Sequence, residues 1–270
     1  VKTIKKIKGS RIYIIARDNN KCFVNKIKLI LEKKKLFLKV LNSNWGSFEY
    51  YDNFIKVLKF AIDDNCNYFH WIDGNTKIVV NQKKFFNFFK KNLNKTFIEY
   101  SKLPHKKWTV KNNIFKEILY NTLDNGINRV KYYHLTSYLK VHNNRAIYYL
   151  LDFIFIIFQK IFKINRLFFK NYYGGTGFFS FSLGAAIYLT SQYKKLHKKF
   201  THTYIAEEII SHTILLNSNQ NIKKNIINSS LIYQLWKFKN GEMPAVLSVN
   251  DLKKIKMNKN KFIFARKFRS

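Results

Sequence analysis

The chain has 270 residues, 47% of them hydrophobic and 17% aromatic, with a formal net charge of +35. That apolar content is enough for a packed core in one or two domains, which excludes a globally disordered chain. Two cysteines, Cys22 and Cys66, with no CxxC spacing, exclude a disulfide scaffold and a cysteine zinc site and fit a reducing compartment.

Residues 11–16, RIYIIA, read as a short buried strand. Residues 22–34 carry Val24, Ile27, Ile30 and Leu31 at helical spacing, and 36–41, LFLKVL, form a second strand candidate. Residues 54–62 place Phe54, Val57, Leu58 and Ala61 on one helix face. A third strand, 67–72 (NYFHWI), runs into the turn Asp73-Gly74-Asn75. An aromatic-faced helix at 82–93 and a strand at 96–100 follow. Strands alternating with helices predict a largely parallel sheet with helices on its faces, and ligands bound beyond the carboxyl ends of the strands.

Residues 102–122 have no clear period. Asp124-Asn125-Gly126 is a turn, and 129–134, RVKYYH, read as a strand. Residues 146–158, AIYYLLDFIFIIF, are too short to span a bilayer and include Asp152. They read as a buried helix or, because basic residues fall among aromatics in the following QKIFKINRLFFK, as a helix lying on an anionic membrane face. Residues 178–181 form a strand entering a helix at 182–192, and 205–216 form a further helix with Glu207-Glu208 near its start. Residues 230–238 read as a strand carrying Trp236, and a last helix begins near 249–252 with Asn250 as its cap. No internal repeat or long linker interrupts residues 1–270, which read as one domain.

The charge points to an anionic partner: nucleic acid, a membrane surface or a phosphate-bearing substrate. The plainer source is lysine and asparagine abundance of the kind an AT-rich genome gives. The lysines are dispersed, and no RNP, helix-turn-helix or zinc-finger pattern occurs, so no specific nucleic-acid partner is expected. Residues 1–10 are basic but lack a following apolar h-region, unlike a signal peptide.

Three late features form one chemical set: the turn Gly174-Gly175-Thr176-Gly177, the pair Glu207-Glu208 and the closing Phe264-Ala265-Arg266-Lys267-Phe268. A glycine-rich turn admits a ligand close to the backbone, a carboxylate can take a proton, and a basic pair can hold a phosphate. The plainer readings are a tight turn, a helix-dipole partner and a solvated basic patch.

From about residue 40 onward, the order of segments resembles the core-2/I-branching β-1,6-N-acetylglucosaminyltransferase family, which also contains peptide xylosyltransferases. Asn44-Trp45-Gly46-Ser47-Phe48 is similar to its W-G-x-x segment, and residues 68–74, YFHWIDG, to F-H-L-x-S-G. Residues 125–134 are similar to G-x-x-R-x-x-Y-Y-H, GGTGFFSFS to G-S-x-W-F-S-L-S, TYIAEE to T-x-x-P-D-E and TILLNS to T-x-L-x-N-S. Trp236, Pro244, Asp251 and the FARKF segment complete the order.

The resemblance implies a GT-A-like (Rossmann-like) α/β fold and an inverting, metal-independent transfer of a sugar, most often N-acetylglucosamine, from a UDP-sugar to a glycan acceptor. It implies Glu208 as the base, with Glu207 as second candidate. It assigns Trp45, Asp73, Gly74, Arg129, Tyr133, Arg266 and Lys267 to the donor, and Gly175, Thr176, Gly177, Phe178 and Trp236 to the acceptor. No metal or other cofactor is expected, because basic side chains replace the D-x-D-bound ion of most GT-A enzymes. The expected setting is bacterial surface polysaccharide synthesis, in the cytoplasm or peripherally on the inner face of the membrane. The chain departs from the family at Thr76 and Ile78, where aspartate and proline are usual, at Ala206 for a proline and at Ala245 for a basic residue. The resemblance also implies a fold that lacks the family's usual first strand and an N-terminally shortened domain. The alternatives are an inactive, truncated or divergent copy of the family, or a basic protein binding membrane or nucleic acid.

Overall fold

The computed structural model describes residues 11, 13–17, 37–41, 46–105, 126–135, 145–236, 244–248, 250, 251, 253, 255 and 261–268. The helix expected at 22–34, most of the 102–122 stretch, Cys22, Trp45 and the turn residues Asp124 and Asn125 lie outside them. The described residues form a mixed α/β structure.

Strands β1 (Tyr13–Arg17) and β2 (Phe37–Leu41) pair in parallel. Helix α1 (Phe48–Asp63) buries Phe48, Tyr51, Phe54, Ile55 and Leu58, an i, i+3, i+4 stripe that makes one apolar face. It ends at Asp64, beyond which Asn65 takes a positive φ of 58° and turns the chain out of the helix. Strands β3 (Tyr68–Trp71) and β5 (Thr96–Ile98) bracket β4 (Lys77–Ile78) and helix α2 (Gln82–Lys91). Asn81 caps α2, its side chain accepting from Lys84 N at 2.8 Å, and Phe85 and Phe89 form the helix's buried face.

The main sheet has the order β3-β8-β5-β9. Strand β8 (Phe179–Ser182) runs antiparallel to β3 and to β5, while β9 (Ile226–Ile227) is parallel to β5. The expectation of a mostly parallel sheet is therefore corrected: the sheets are mixed. The early alternation does make β3 and β5 co-directional, but β8 inserts between them in the opposite sense. All four β8 residues are buried. Its two serines find partners: Ser180 Oγ lies 2.9 Å from His70 Nδ1, and Ser182 Oγ lies 3.1 Å from Thr96 Oγ1 and caps the next helix at Ala185 N. Two smaller sheets flank this one. Strands β6 (Ser101–Leu103) and β7 (Tyr172–Gly174) pair antiparallel. Strand β11 (Phe264–Arg266) lies between β10 (Ile232–Gln234), parallel to it, and β4, antiparallel to it.

The RVKYYH segment is not a strand. Residues Asn128–Lys131 form a short helix, α3. Val130 favours extended backbone but lies in this helix, and Tyr132 is extended (φ −115°, ψ 163°) without belonging to a strand. The Gln159 side-chain amide bonds both Tyr133 N (2.8 Å) and Tyr133 O (2.9 Å), so no neighbouring strand is needed. Residues 178–181 shift by one to give β8, and the helix after it, α5 (Leu183–Phe200), extends beyond the expected 192. The expected helix at 205–216 splits into a 3₁₀ turn, Ala206–Glu208, and helix α6 (Ile210–Leu216). Trp236 lies beyond β10 and is 55% exposed. The last helix, represented by Asn250, Asp251, Lys253 and Ile255, is capped by Ser248 and not by Asn250. Ser248 Oγ and N both meet Asp251 Oδ2, at 2.6 and 2.8 Å, the reciprocal S-x-x-D box.

The principal core joins α1, β5, β8, α5 and α6 through Tyr51, Phe54, Ile98, Phe179, Leu189 and Ile214. A second cluster gathers Phe85, Phe89, Phe97, Ile232 and Phe264 under β11. No helix among the described residues is long and apolar enough to cross a membrane.

Candidate functional site

The glutamate pair sits on a constrained turn. Ile205 has φ 47° and ψ 56°, a left-handed conformation that a β-branched residue adopts at a cost of order 1–3 kcal/mol. Three backbone bonds hold it: Tyr204 N to Arg129 O (3.0 Å), Ile205 N to Gly46 O (2.9 Å) and Glu208 N to Ile205 O (3.1 Å). Gly46 itself has φ +76°, and a Cβ there would come within 2.8 Å of the Tyr204 ring. Below the turn every residue of α6 is buried. Tyr51 Oη meets Ser211 Oγ at 2.7 Å, and Thr213 Oγ1 bonds both Tyr173 N and Tyr173 O, stitching α6 to β7.

The glycine-rich turn packs directly on this support. Gly175 N donates to Glu208 O at 3.0 Å. A Cβ at Gly175 would lie 1.8 Å from Glu99 O and 2.9 Å from His212 Nε2, so only glycine fits. A Cβ at Gly177 would lie 3.1 Å from Glu207 Cγ and 3.9 Å from Glu208 Cγ. Thr176 lies between them with its hydroxyl buried and without a hydrogen-bond partner among the described residues. His212 is wholly buried beneath Gly175. Burial pushes its imidazole down to about 3, although backbone groups of Glu99 and Thr176 favour the charged form.

Glu208 Oε2 accepts from Arg129 Nη1 at 2.6 Å; the arginine side chain is 10% exposed and the glutamate side chain 31%. Phe178 continues the turn and carries the Arg266 guanidinium over its ring at 4.4 Å. Arg266 Nη2 donates to Asp73 Oδ2 at 2.7 Å. Asp73 Oδ1 accepts from Asn75 N (3.1 Å) and Thr76 Oγ1 (2.6 Å), so this carboxylate fixes its own turn and an arginine together. Phe268 N bonds Asn75 O at 3.0 Å, and Lys77 Nζ lies 4.8 Å over the Phe268 ring. Lys267 O accepts from Leu247 N at 2.8 Å, which anchors the backbone between the two side chains.

The structure therefore brings together Asp73, Arg129, the 175–178 turn, Glu207, Glu208 and Arg266, with Lys267 adjacent in the chain. Two other expected residues stand apart. Tyr133 packs over Arg166, 4.1 Å from its guanidinium, and belongs to a separate anchor. Trp236 is exposed beyond β10. Gly74 has nothing within 4 Å of a built Cβ, so its neighbours make no demand for glycine. Sequence reading missed Lys77, seen only as part of a departing segment, and His212, a lone histidine in an apolar run with no signal of its own. Among the described residues no group of three or more His, Cys, Asp or Glu is placed to hold a metal. A recess of about 130 Å³ at the start of β5, beside Asn94, Thr96 and Asn225, is lined by no titratable side chain and lies at the opposite end of that strand from Glu99 and Gly175.

Comparison with protein-family models and with curated proteins gives no match to this chain.

Proposed function

We propose that the chain is an inverting glycosyltransferase of GT-A-like fold that moves a sugar from a UDP-sugar to a hydroxyl of a glycan acceptor. One observation carries the reading. A glycine turn packed on the glutamate pair, the carboxylates themselves and a cationic strand end converge from distant stretches of sequence, and inverting transfer requires a carboxylate and fixed cations near one another.

In this reading Glu208 is the base. Arg129 holds Oε2, leaving Oε1 to take the acceptor proton as the hydroxyl oxygen attacks the anomeric carbon. The bond from that carbon to the diphosphate oxygen breaks, and the nucleoside diphosphate leaves with its charge. Arg266, Lys267 and Lys77 are the fixed cations that stabilise this developing charge, the part a divalent ion plays in enzymes that use one. The 175–178 turn supports the acceptor, with Phe178 as the apolar surface under a sugar ring. N-acetylglucosamine as the transferred sugar, a bacterial surface polysaccharide as product and work on the cytoplasmic side belong to the same proposal and rest on the segment order alone.

Titration calorimetry with UDP, with GDP and CMP as comparators, tests it. Wild type is expected to bind UDP saturably, and Lys267→Ala to bind it ten- to a hundredfold more weakly, the loss of a charge-assisted bond worth roughly 1.5–3 kcal/mol. Equal affinity of the two proteins, or no preference for UDP, would sink the donor assignment.

A further inference from the structure

Helix α4, Arg145–Ile161, buries Tyr148 and Ile156 against the protein but also presents an apolar face to solvent. Two of its polar residues, Asp152 and Gln159, point inward with them. Asp152 Oδ2 meets His134 Nδ1 at 2.8 Å, and Oδ1 accepts from Leu135 N at 2.8 Å. Gln159 spends its amide on both backbone groups of Tyr133. The remaining large apolar residues include an outward stripe: Ile147, Leu150, Ile154, Phe158 and Ile161 recur at helical spacing, and the last two are 54% and 66% exposed. Phe162 extends the stripe at 73% exposure. Scattered exposed apolar residues need no explanation, but a continuous stripe along a helix with buried polar anchors does.

We infer that α4 is a membrane-surface helix, lying in the plane of an anionic phospholipid bilayer with the 147–162 stripe among the upper acyl chains. The charge next to the stripe selects this occupant. Lys160 and Lys163 are exposed at its end. Arg166 ties the following segment to the end of α5 by donating to Lys199 O at 2.8 Å and to Thr201 O, and Lys199 Nζ lies 5.0 Å over the Phe168 ring. This brings the exposed Lys194, Lys195, Lys198 and Lys199 of α5 to the same end of the molecule. Between residues 145 and 206 there are nine Lys and Arg against one carboxylate, Asp152, which is buried. Apolar residues beside a dense cationic cluster match an interface of acyl chains below anionic headgroups. A second copy of this chain is a poor cover, because two surfaces of this sign repel. Spanning is excluded for α4 by its length and by Asp152 and Gln159, which are pinned to the protein.

The inference does not depend on the glycosyl-transfer reading, and its test reads lipid binding alone. The full chain is sedimented with vesicles of phosphatidylcholine and with vesicles to which phosphatidylglycerol has been added. Wild type is expected on the anionic vesicles and not on the neutral ones. The double variant Ile154→Glu/Phe158→Glu is expected to lose binding about tenfold or more, because it removes buried apolar area and adds repulsion. Lys195→Glu/Lys198→Glu is expected to weaken binding and to make what remains less sensitive to salt. Circular dichroism and UDP binding of both variants should match wild type, since these side chains face solvent. Three results would overturn the inference: absence of wild-type binding to anionic vesicles; wild-type binding of the Ile154/Phe158 variant, which would reduce the attraction to net charge; or a dimer without lipid that this variant dissolves, which would assign the stripe to a second copy.

Discussion

The pairs Arg129–Glu208 and Arg266–Asp73 are alike in length, 2.6 and 2.7 Å, and in the exposure of each carboxylate side chain, 31% in both. They differ in what else the carboxylate does. Asp73 uses Oδ1 on the backbone and hydroxyl of its own turn and Oδ2 on arginine, so both oxygens are occupied by the protein. Glu208 meets arginine through Oε2, and its own backbone, not its second oxygen, supports the glycine turn. A carboxylate with both oxygens committed is a brace, while one held by a single oxygen is positioned and still chemically available. Under the proposed function the same ion-pair geometry serves two purposes, and the number of partners distinguishes them.

The sharpest way to break this comparison is to neutralise each acid. Glu208→Gln is expected to fold and bind UDP while losing transfer activity by at least about a hundredfold, the usual contribution of a positioned base. If Glu207→Gln loses activity and Glu208→Gln does not, the base is one residue earlier. Asp73→Asn is expected to weaken UDP binding about tenfold by releasing Arg266, a loss in the range of one charge-assisted bond, with turnover at saturating donor within a few-fold of wild type. A turnover loss in Asp73→Asn as large as in Glu208→Gln would erase the distinction between brace and base.

Each region also rests on a buried neutral histidine. His212 lies under Gly175, and His70 lies 5.4 Å from the Phe264 ring under β11. Burial pushes both down to about 3. The unfolded chain takes up these protons near 6.5 and the folded one does not. Stability from this source is therefore complete above about pH 6.5 and falls as pH drops towards 3. The expected loss is up to about 1.4 kcal/mol per pH unit for each histidine. Urea unfolding at pH 7, 6 and 5 reads it, and His70→Phe should roughly halve the slope; a flat profile in wild type contradicts buried neutral imidazoles at both places. The smallest effect expected is none. EDTA should leave transfer unchanged if Arg266, Lys267 and Lys77 carry the leaving charge, whereas loss on chelation with recovery in Mn²⁺ would return Asp63, Asp64 and Asp73 to consideration as ligands.

Local chemistry was legible and pairing was not. Apolar spacing located α1 and α2, each of which buries one face, and runs of apolar residues located the strands around residues 13, 37, 68 and 96. The glycines at 175 and 177 were read as admitting a ligand to the backbone, whereas the atoms that crowd them are Glu99 O, His212 and Glu207, as a tightly packed turn requires. The 129–134 segment was misread because Val130, Tyr132 and Tyr133 favour strands in isolation, while the contacts that decide the matter come from Gln159. The mixed sheet was missed because nothing within FSFS states that both its neighbours run the other way. The cap at Ser248 was assigned two residues late, since an S-x-x-D box and an asparagine at the helix start compete in the same short stretch. Neither ion pair could be read, since Arg129 and Glu208 are 79 residues apart and Asp73 and Arg266 are 193.

Those separations have a consequence for how the molecule assembles. Closing the longer loop costs only about 0.8 kcal/mol more chain entropy than closing the shorter one, since the penalty grows as the logarithm of length. The rewards differ more. The glutamate side is reached through a fully buried helix and the largest core. The arginine side is held by β4, β11 and β10, strands of two and three residues each. Amide protons of Phe264 and Ala265 should therefore exchange with solvent ahead of those of Ile214 and Leu215. The clamp around Asp73 is then the part that opens first under mild denaturant, and a bound diphosphate, by bridging it, would slow that exchange most.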